Sequence, residues 1–387
     1  MDFSLSNEQQ AIVDSIKALM KQFDDDYWLE RDRSGEFPED FYQEMSKGGW
    51  LGITMPEEYG GSNLGVTEAA LMMMTVAEGG GMSAASAVHI NIFGPHPIVK
   101  FGTEEQKQRW LPPLIAGKQK TCFGVTEANA GLDTTRIETF ARRDGDNYII
   151  NGQKIWTTTA KQADKVMMLA RTTPRDECEK PHEGISLFYA DMDPACVEIK
   201  EIEKMGRKCV PSYMTFYDNL VVSKDDLIGE EGKGFRYILH SLNPERILLA
   251  SEAAGMGRSA LARATQYAKD REVFGRPIGM NQSVQHPLAE NWIELEAAYL
   301  SIMCAASRYD KGEDCGAHAN GAKYFAAEVG FKACQQAVMT HGGMGYAKEY
   351  HVERLMRESM LPRLAPVSQN MILNFVSTNV LDLPRSY

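Results

Sequence analysis

Residues 146–160 read DNYIINGQKIWTTTA, and the hydrophobic pattern of the chain changes here from helical to β. Asn151-Gly152 lies between two β-prone runs and predicts a hairpin. Turn residues then separate three more β-prone runs, which are KVMMLARTT (165–173), GISLFYADM (184–192) and MTFYDNLVV (214–222). The middle of the chain is therefore predicted to be a compact antiparallel barrel.

Upstream of this β-region the apolar residues follow a helical period. Ser6 and Gln9 form a capping-box pattern before the first helical run. Residues 66–118 are again helical, with a break around Pro95 and Pro97.

Downstream, the helical period returns at Gly234. It predicts four long segments, which are 235–269, 287–310, 317–340 and 350–378. Pro287 fits the first turn of its helix. The predicted order is therefore helices, a β-domain and a helical bundle.

The composition limits the classes of function. The chain has 387 residues, 43% apolar and 24% charged, which is typical of a soluble protein with two or three domains. A net charge of −12 argues against broad binding to nucleic acid. Seven scattered cysteines without a CxxC spacing give little support for disulfides or structural zinc, so no metal is expected. The sequence predicts neither a signal peptide nor a membrane span, and the cytoplasm is the simplest compartment.

Two segments beside the β-region could line a flat ligand. In CFGVTEANAGLDTT (122–135), Gly131 permits close approach of a backbone and Thr126 could bond a ring edge, although the segment alone reads as an ordinary loop. In KIWTTTA (154–160), Trp156 could stack on an aromatic cofactor, although most strand tryptophans belong to a core.

Two later segments contain residues suited to a nucleotide. DREVFGRPIGMNQ (270–282) contains Arg271, Phe274 and Gln282, which together suit a phosphate and an adenine. Taken alone, the segment is explained more simply as a solvated helix end followed by a turn. In THGGMGY (340–346), the glycines either cap a helix or let a pyrophosphate approach the backbone.

Taken in order, these motifs resemble the acyl-CoA dehydrogenase family of flavoproteins over essentially the whole chain. The matching motifs are LxxEQ (5–9), PEEYGG (56–61), VTE (125–127), INGQKIWTT (150–158), ERILLA (245–250), RxxFGRPI (271–278) and HGGMGY (341–346). The resemblance implies an α+β, mainly α fold with an N-terminal helical domain (1–120), a middle antiparallel β-barrel domain (121–232) and a C-terminal four-helix bundle (233–387). It also implies FAD bound between domains and across a subunit interface of a homotetramer, a dimer of dimers.

The same resemblance assigns cofactor-binding residues. They are Phe123, Val125, Thr126 and Gly131 by the flavin, Trp156 and Thr158 flanking its ring, Arg271, Phe274, Ile278 and Gln282 in the stretch that reaches a neighbouring subunit's cofactor, Met339, Gly342 and Gly343 by the adenosine half, and Val367, Ser368 and Gln369 at the C-terminal flavin contact. Met339 and Val367 replace polar residues of the family, and each replacement weakens one contact by about 0.5–1.5 kcal/mol.

The family's reaction removes a proton α to a thioester and a hydride from the β carbon, so a base must lie within hydrogen-bond reach of the substrate. Many members carry this glutamate in a C-terminal YEGTSQ motif, but this chain reads LAPVSQ (364–369), with Ala365 at that position. Glu245 resembles the alternative base of the isovaleryl and long-chain branches, and the apolar residues after it would raise its pKa by burial. Glu353 and Glu358 are expected to be poorly placed.

Glu245 is predicted to open a helix, with Pro244 in the first turn, where its alternative role is to complement the helix dipole. The Ala365 N–H is expected to remain as a donor to the thioester oxygen. The further substrate-binding candidates, by resemblance, are Leu132, which replaces a serine, Asn243, Arg246, which supports the active-site structure in the family, and Pro366.

The sequence therefore predicts FAD-dependent α,β-dehydrogenation of an acyl-CoA thioester to the trans-2-enoyl-CoA, as in fatty acid β-oxidation. An electron-transferring flavoprotein is the expected electron acceptor. An enoyl-CoA reductase would need the same residues. A flavin-dependent oxidase or monooxygenase on the same fold and a non-catalytic CoA-binding protein are also compatible with these motifs.

Overall fold

The computed structural model describes residues 4–385. Its helices are α1 (Asn7–Met20), α2 (Asp25–Ser34), α3 (Glu39–Lys47), α4 (Val66–Phe93), α5 (His96–Phe101), α6 (Glu104–Ile115), α7 (Gly234–Asp270), α8 (Gln282–Asp310), α9 (Gly316–His341), α10 (Val352–Glu358), α11 (Leu361–Leu364) and α12 (Gln369–Asn379). Its strands are β1 (Thr121–Gly124), β2 (Phe140–Asp144), β3 (Asn147–Thr158), β4 (Lys165–Arg171), β5 (Ile185–Asp191), β6 (Val197–Ile202), β7 (Ser212–Ser223), β8 (Glu272–Val273) and β9 (Arg276–Pro277). The predicted order of helices, sheet and helices is confirmed. Within the described range, no helix combines the length and the apolar character that crossing a membrane requires.

The N-terminal helices begin where the sequence supplies caps. The Ser6 hydroxyl accepts from the Gln9 N–H at 3.1 Å, and the Gln9 side chain accepts from the Ser6 N–H at 3.1 Å, which confirms the capping box. α4 is buried along most of its length and is interrupted at Gly81, whose φ is 74°. The predicted break near Pro95 separates α4 from α5.

The β-region is one mixed sheet rather than a purely antiparallel one. β2–β3, β3–β7, β6–β7 and β4–β5 pair antiparallel, but β4 pairs parallel with β1 and, at one end, with β2. Since β2 and β3 form a hairpin, the next strand, β4, runs in the direction of β2. β1 is the terminal strand of the order β1-β4-β2-β3-β7-β6, and the segment after it contacts β3 through the bond from the Ile155 N–H to the Thr126 carbonyl oxygen.

The hairpin predicted at Asn151-Gly152 is wrong. β3 continues through both residues, and its register with β7 shifts at Gly152, so the glycine marks a bulge. A Cβ at Gly152 would lie 2.6 Å from Thr139 Cα, and the φ of Gly152 is 148°. The turn between β2 and β3 lies instead at residues 144–147, where Gly145 has a φ of 61°.

The C-terminal helices begin earlier than the sequence predicts. α7 begins at Gly234, so Pro244 and Glu245 lie inside it and not in its first turn. α8 begins at Gln282, which places Pro287 inside as well. Both helices continue through their prolines because tertiary packing outweighs the loss of one backbone hydrogen bond, and α7 packs along α4, α8 and α9.

The predicted segment 350–378 is not one helix but three, α10, α11 and α12. α10 ends at Glu358, and Pro362 and Pro366 follow. Neither proline has an N–H with which to continue a helix. The resulting loop between α11 and α12 carries Ala365 against α9.

Gly152→Ala is expected to lower the free energy of unfolding by about 2–4 kcal/mol, because the new Cβ would overlap Thr139 and the backbone conformation is unfavourable for alanine. Gly145→Ala is the matched control, since nothing lies within 4 Å of a Cβ at Gly145 and only a backbone cost of about 1–2 kcal/mol remains. Urea denaturation measures both losses. Equal losses would contradict a close approach at Gly152.

Candidate active site

Glu245 lies about three turns inside α7 and is 7% exposed. It makes no hydrogen bond to any residue of the described range 4–385. Burial raises the pKa of Glu245 to about 7, although the nearby charges of His89 and Arg246 favour the carboxylate. A carboxyl group with a pKa near neutrality can accept a proton at physiological pH. The helix-dipole role is excluded, because that effect is confined to the first turn.

The surroundings of Glu245 come from three helices. His89 on α4 lies with Nδ1 2.5 Å from Oε1 of Glu252, which is two turns beyond Glu245 on α7. Lys323 on α9 is also buried, and burial lowers its pKa to about 8. Sequence reasoning missed His89, Glu252 and Lys323. The available signal was a charged or titratable residue within an otherwise apolar helical face.

The other two acids considered as bases are used in structural contacts. Glu353 pairs with Arg357 at 2.7 Å. Glu358 accepts from the Ser83 N–H at 3.1 Å and from the Ser83 hydroxyl at 2.5 Å, and it lies 3.4 Å from Arg354. Glu358 thereby caps the second half of α4. Of the three acids, only Glu245 has no such partner in the described chain.

The loop that carries Ala365 is tied to α9. Lys323 Nζ donates to the Val367 carbonyl oxygen at 2.6 Å, and Arg363 pairs with Glu328 at 2.9 Å. The charge of Lys323 also acts on Glu245. Lys323 therefore connects the loop with the surroundings of the base.

The prediction of a free Ala365 N–H is wrong. This N–H donates to the Leu361 carbonyl oxygen at 3.0 Å at the end of α11. Pro366 follows through a cis peptide bond and has no N–H. Within residues 4–385, the N–H groups of Val367 and Ser368 have no hydrogen-bond partner, so both are available backbone donors of the loop.

Ser368 and Gln369 make contacts within the chain. The Ser368 hydroxyl accepts from the Met371 N–H at 3.4 Å as the N-cap of α12. The Gln369 amide donates to the carboxylate of Glu328. Their contact with the flavin stays a prediction, and both side chains have a structural role without it.

Trp156 lies at a second bulge of β3. The register with β7 shifts between Lys154 and Thr157, and Trp156 has a φ of 63° and is 53% exposed. A bulky residue with a left-handed backbone persists only where the surrounding structure enforces it. Its exposure excludes a place in the core. Thr158 is half-buried, and its hydroxyl lies 3.1 Å from the Ser212 hydroxyl.

A buried ion pair that sequence reasoning missed holds this part of the sheet. Lys154 Nζ lies 2.7 Å from Oε1 of Glu127 and donates to the Val125 carbonyl oxygen at 3.3 Å. Glu127 also accepts from the N–H groups of Glu138 and Thr139, at 2.6 and 3.0 Å. The pair therefore fixes the segment after β1 against β3.

Further contacts join this segment to the surroundings of Glu245. The Ile155 N–H donates to the Thr126 carbonyl oxygen at 2.9 Å, directly before Trp156. The Phe123 ring lies 5.4 Å from Phe93, and Phe93 lies 4.7 Å from His89. The structure thus brings together the segment 123–126 and the side chains around the base.

Three family models cover almost the whole of this architecture. The acyl-CoA dehydrogenase N-terminal domain matches residues 6–118, the middle domain matches residues 122–220, and the C-terminal domain matches residues 232–381. The chain belongs to the acyl-CoA dehydrogenase family.

Individual proteins agree with this membership. Acyl-CoA dehydrogenase FadE12 of Mycobacterium tuberculosis is 39% identical over 387 residues, which covers 100% of this chain and 99% of the relative. The caffeyl-CoA reductase-Etf complex subunit CarC of Acetobacterium woodii is 34% identical over 330 residues, or 85% of this chain and 86% of the relative. The structure of butyryl-CoA dehydrogenase from Megasphaera elsdenii is 30% identical, with a TM-score of 0.94 over 98% of this chain and 100% of that chain.

FAD is the cofactor of acyl-CoA dehydrogenases, and the described residues fit it. The Trp156 ring is presented on the surface of the sheet. Nothing lies within 4 Å of a Cβ built on Gly131, Gly342 or Gly343, so the backbone at each is open to a ligand. Met339 beside the glycine pair is exposed.

The segment predicted to reach a neighbouring cofactor projects from the chain. The β8–β9 hairpin presents Phe274 fully exposed, with a φ of 54°. Arg271 and Gln282 are exposed and Ile278 is half-buried. Within residues 4–385, none of these four side chains makes a hydrogen bond or ion pair with the other cofactor candidates. Their role at a subunit interface of the acyl-CoA dehydrogenase stays a prediction.

The substrate-binding candidates lie in different surroundings. Leu132 is exposed in the loop after β1, and Pro366 is exposed in the loop after α11. The Asn243 side chain accepts from Arg246 Nη1 at 2.9 Å. Asn243 also lines an open cleft of about 730 Å³ on the N-terminal half of α7, together with Lys100 and others.

Lys154→Met is expected to cost about 3–5 kcal/mol of stability, because it leaves the Glu127 carboxylate buried and unpaired. The loop after β1 then loses its tie to β3, so the flavin content of the purified protein should fall. The double variant Lys154→Met/Glu127→Gln is the matched control and should recover part of both losses. Denaturation and the flavin absorbance per chain measure the effects. An unchanged flavin content in a folded Lys154→Met variant would show that the pair does not hold the cofactor loop.

Proposed function

We propose that this acyl-CoA dehydrogenase oxidises an acyl-CoA thioester between its α and β carbons, with Glu245 as the base. The observation that carries the proposal is the buried carboxylate of Glu245, which has no hydrogen-bond partner among residues 4–385, in a chain whose C-terminal motif has Ala365 in place of glutamate. Bound FAD supplies the acceptor for the β hydride.

The surroundings of Glu245 suit proton abstraction. Burial raises its pKa to about 7, so accepting the α proton turns a buried charge into a neutral group. The charges of His89 and Arg246 favour the ionised form of Glu245, which is the form that accepts the proton. As the proton leaves, negative charge develops on the thioester oxygen, and the free N–H of Val367 is the donor that we assign to it.

The cleft on the N-terminal half of α7 suits the phosphates of CoA. Lys100 and Arg236 line it, and neither makes an ion pair with a residue of the described range. Three acids also line the cleft, and each has a partner: Asp310 accepts from the Val66 N–H at 2.7 Å, Glu313 pairs with Arg308 at 3.2 Å, and Asp314 accepts from the Gly316 N–H at 3.1 Å. Residues turn by about 100° along a helix, so Asn243 in the cleft and Glu245 point to different sides of α7. The cleft therefore suits the CoA part of the substrate and not the reacting carbon of the acyl group.

Glu245→Gln is expected to retain FAD and to bind acyl-CoA, but to reduce the flavin at least about 1,000-fold more slowly. In the wild type, kcat/KM should rise with pH and level off above about 7, because only the ionised carboxylate accepts the proton. Anaerobic bleaching of the flavin measures both effects. Glu30→Gln, an exposed change on α2, is the control. Wild-type bleaching by Glu245→Gln would refute the assignment of the base.

Arg236→Gln is expected to raise KM for acyl-CoA about 5- to 10-fold with little change in kcat, because it removes a cation that binds the carrier and not the reacting atoms. Steady-state kinetics with a soluble electron acceptor measure the change. Arg142→Gln, an exposed change on β2, should leave KM unaltered. A fall in kcat without a rise in KM would contradict carrier binding in the cleft.

Reduction of an enoyl-CoA is a second candidate, because the relative CarC is named as a subunit of a caffeyl-CoA reductase–Etf complex. The same residues serve it, with protonated Glu245 returning the proton to the α carbon. Two rates separate the two directions of the reaction. One is the rate at which an enoyl-CoA reoxidises the chemically reduced enzyme, and the other is the rate at which the saturated thioester bleaches the oxidised enzyme. The same name supports an electron-transferring flavoprotein as the redox partner.

Two broader assignments belong to the same proposal. The fully exposed Phe274 and its exposed neighbour Arg271 support assembly as a homotetramer, in which this hairpin meets a second chain. The seven cysteines are free thiols, which supports a reducing cytoplasm.

A further inference from the structure

The imidazole of His89 bonds Glu252, about two turns along α7 from Glu245, and its second nitrogen has no part in the proton transfer. Its Nδ1 is bonded to Oε1 of Glu252 at 2.5 Å, across the interface of α4 and α7. Its Nε2 makes no hydrogen bond to any residue in the described range, and 11% of the side-chain surface stays accessible. Glu252 is fully buried, and its Oε2 has no partner either. A pair that served only to join two helices would be expected to satisfy its buried polar atoms.

The charges around His89 favour the imidazolium. Burial alone would lower its pKa, but the carboxylate of Glu252, supported by that of Glu245, raises it above the ordinary value. Arg207 opposes this effect from the loop before β7, where its Nη1 donates to the Ser86 hydroxyl at 3.0 Å. In an imidazolium whose Nδ1–H goes to Glu252, the Nε2–H is a second donor that requires an acceptor.

His89 also lies where the acyl group has to extend. Glu245 and Glu252 are seven residues apart, so they share one face of α7 at a separation of about 10 Å along the helix. His89 faces Glu252 from α4, and its ring is joined through Phe93 to Phe123 in the segment beside the flavin. If the α carbon of an acyl group lies at Glu245 and the rest of the group extends along this face of α7, its distal atoms reach His89.

We propose that His89 is a specificity-determining residue at the distal end of the acyl site, and that the acyl group carries an oxygen there that accepts a hydrogen bond from Nε2. The inference rests on the proposed function. The substrate class is acyl-CoA thioesters with a distal carboxylate, carbonyl or hydroxyl oxygen, rather than plain hydrocarbon chains. A hydrocarbon end would leave a charged N–H desolvated without a partner, which is a strong basis for discrimination.

The test uses two matched pairs of thioesters with the FAD-loaded enzyme. Hexanoyl-CoA is compared with adipoyl-CoA, which adds a terminal carboxylate, and 3-phenylpropanoyl-CoA with 3-(4-hydroxyphenyl)propanoyl-CoA, which adds a hydroxyl. The measured quantity is the second-order rate constant for anaerobic bleaching of the flavin by each thioester. In the wild type, this constant should be about 10- to 100-fold larger for the oxygen-bearing member of at least one pair. His89→Phe should abolish that preference by slowing the oxygen-bearing member and leaving the hydrocarbon member at or above its wild-type rate.

Two further variants keep the result decisive. His89→Gln retains an N–H donor and should keep part of the preference, whereas the exposed change His318→Phe on α9 should keep all of it. If His89→Phe does not fold, Glu252→Gln, which removes the carboxylate that holds the imidazolium, should reduce the same ratio. The inference is overturned if the wild type treats the members of both pairs within threefold, or if folded His89→Phe, or folded Glu252→Gln in its place, leaves the ratio unchanged. If no thioester bleaches the wild-type flavin, the proposed function fails, and the same ratio measured as Kd from the flavin spectrum still decides the role of His89.

Discussion

A carboxylate held inside the protein without a hydrogen-bond partner among the described residues is the constraint on which the candidate active site depends. Removing Glu245 from water disfavours its charge, and the protein offsets this with positive groups at a distance instead of a direct bond. Those groups come from α4, from α9 and from the next residue of α7. The packing of the helices therefore influences the pKa of this carboxyl group, because α4 and α9, which pack against α7, each bring a charged side chain near it.

The order of the motifs was sufficient to predict the layout of the chain, but not the local boundaries. Pro244 and Pro287 favour helix starts by their own chemistry, yet both lie inside helices that long-range packing stabilises. Asn151-Gly152 has the composition of a turn, and only the proximity of Thr139 shows that the glycine is there for space. Such outcomes depend on residues far away in sequence, which local patterns do not contain.

The side chains around the site show the same limit. Ala365 in place of a glutamate points to another base, and this substitution is visible in the sequence. The contacts of His89 with Glu252 and of Lys154 with Glu127 join residues 163 and 27 positions apart, so each partner alone looks like an isolated polar residue in an apolar segment. The sequence also could not show that the Ala365 N–H is occupied, because this depends on whether it donates to the Leu361 carbonyl oxygen in the preceding turn.

The interruption of α4 at Gly81 ties the N-terminal helices to the C-terminal part of the chain. Arg354 donates to the Gly80 carbonyl oxygen that the break leaves free, and Glu358 binds the Ser83 N–H just beyond it. An acid near the C-terminal loop is thereby committed to holding a broken helix together. Replacing this acid would leave the Ser83 N–H without an acceptor and Arg354 without its ion-pair partner, so the break in α4 depends on a charge that lies 275 residues further along the chain.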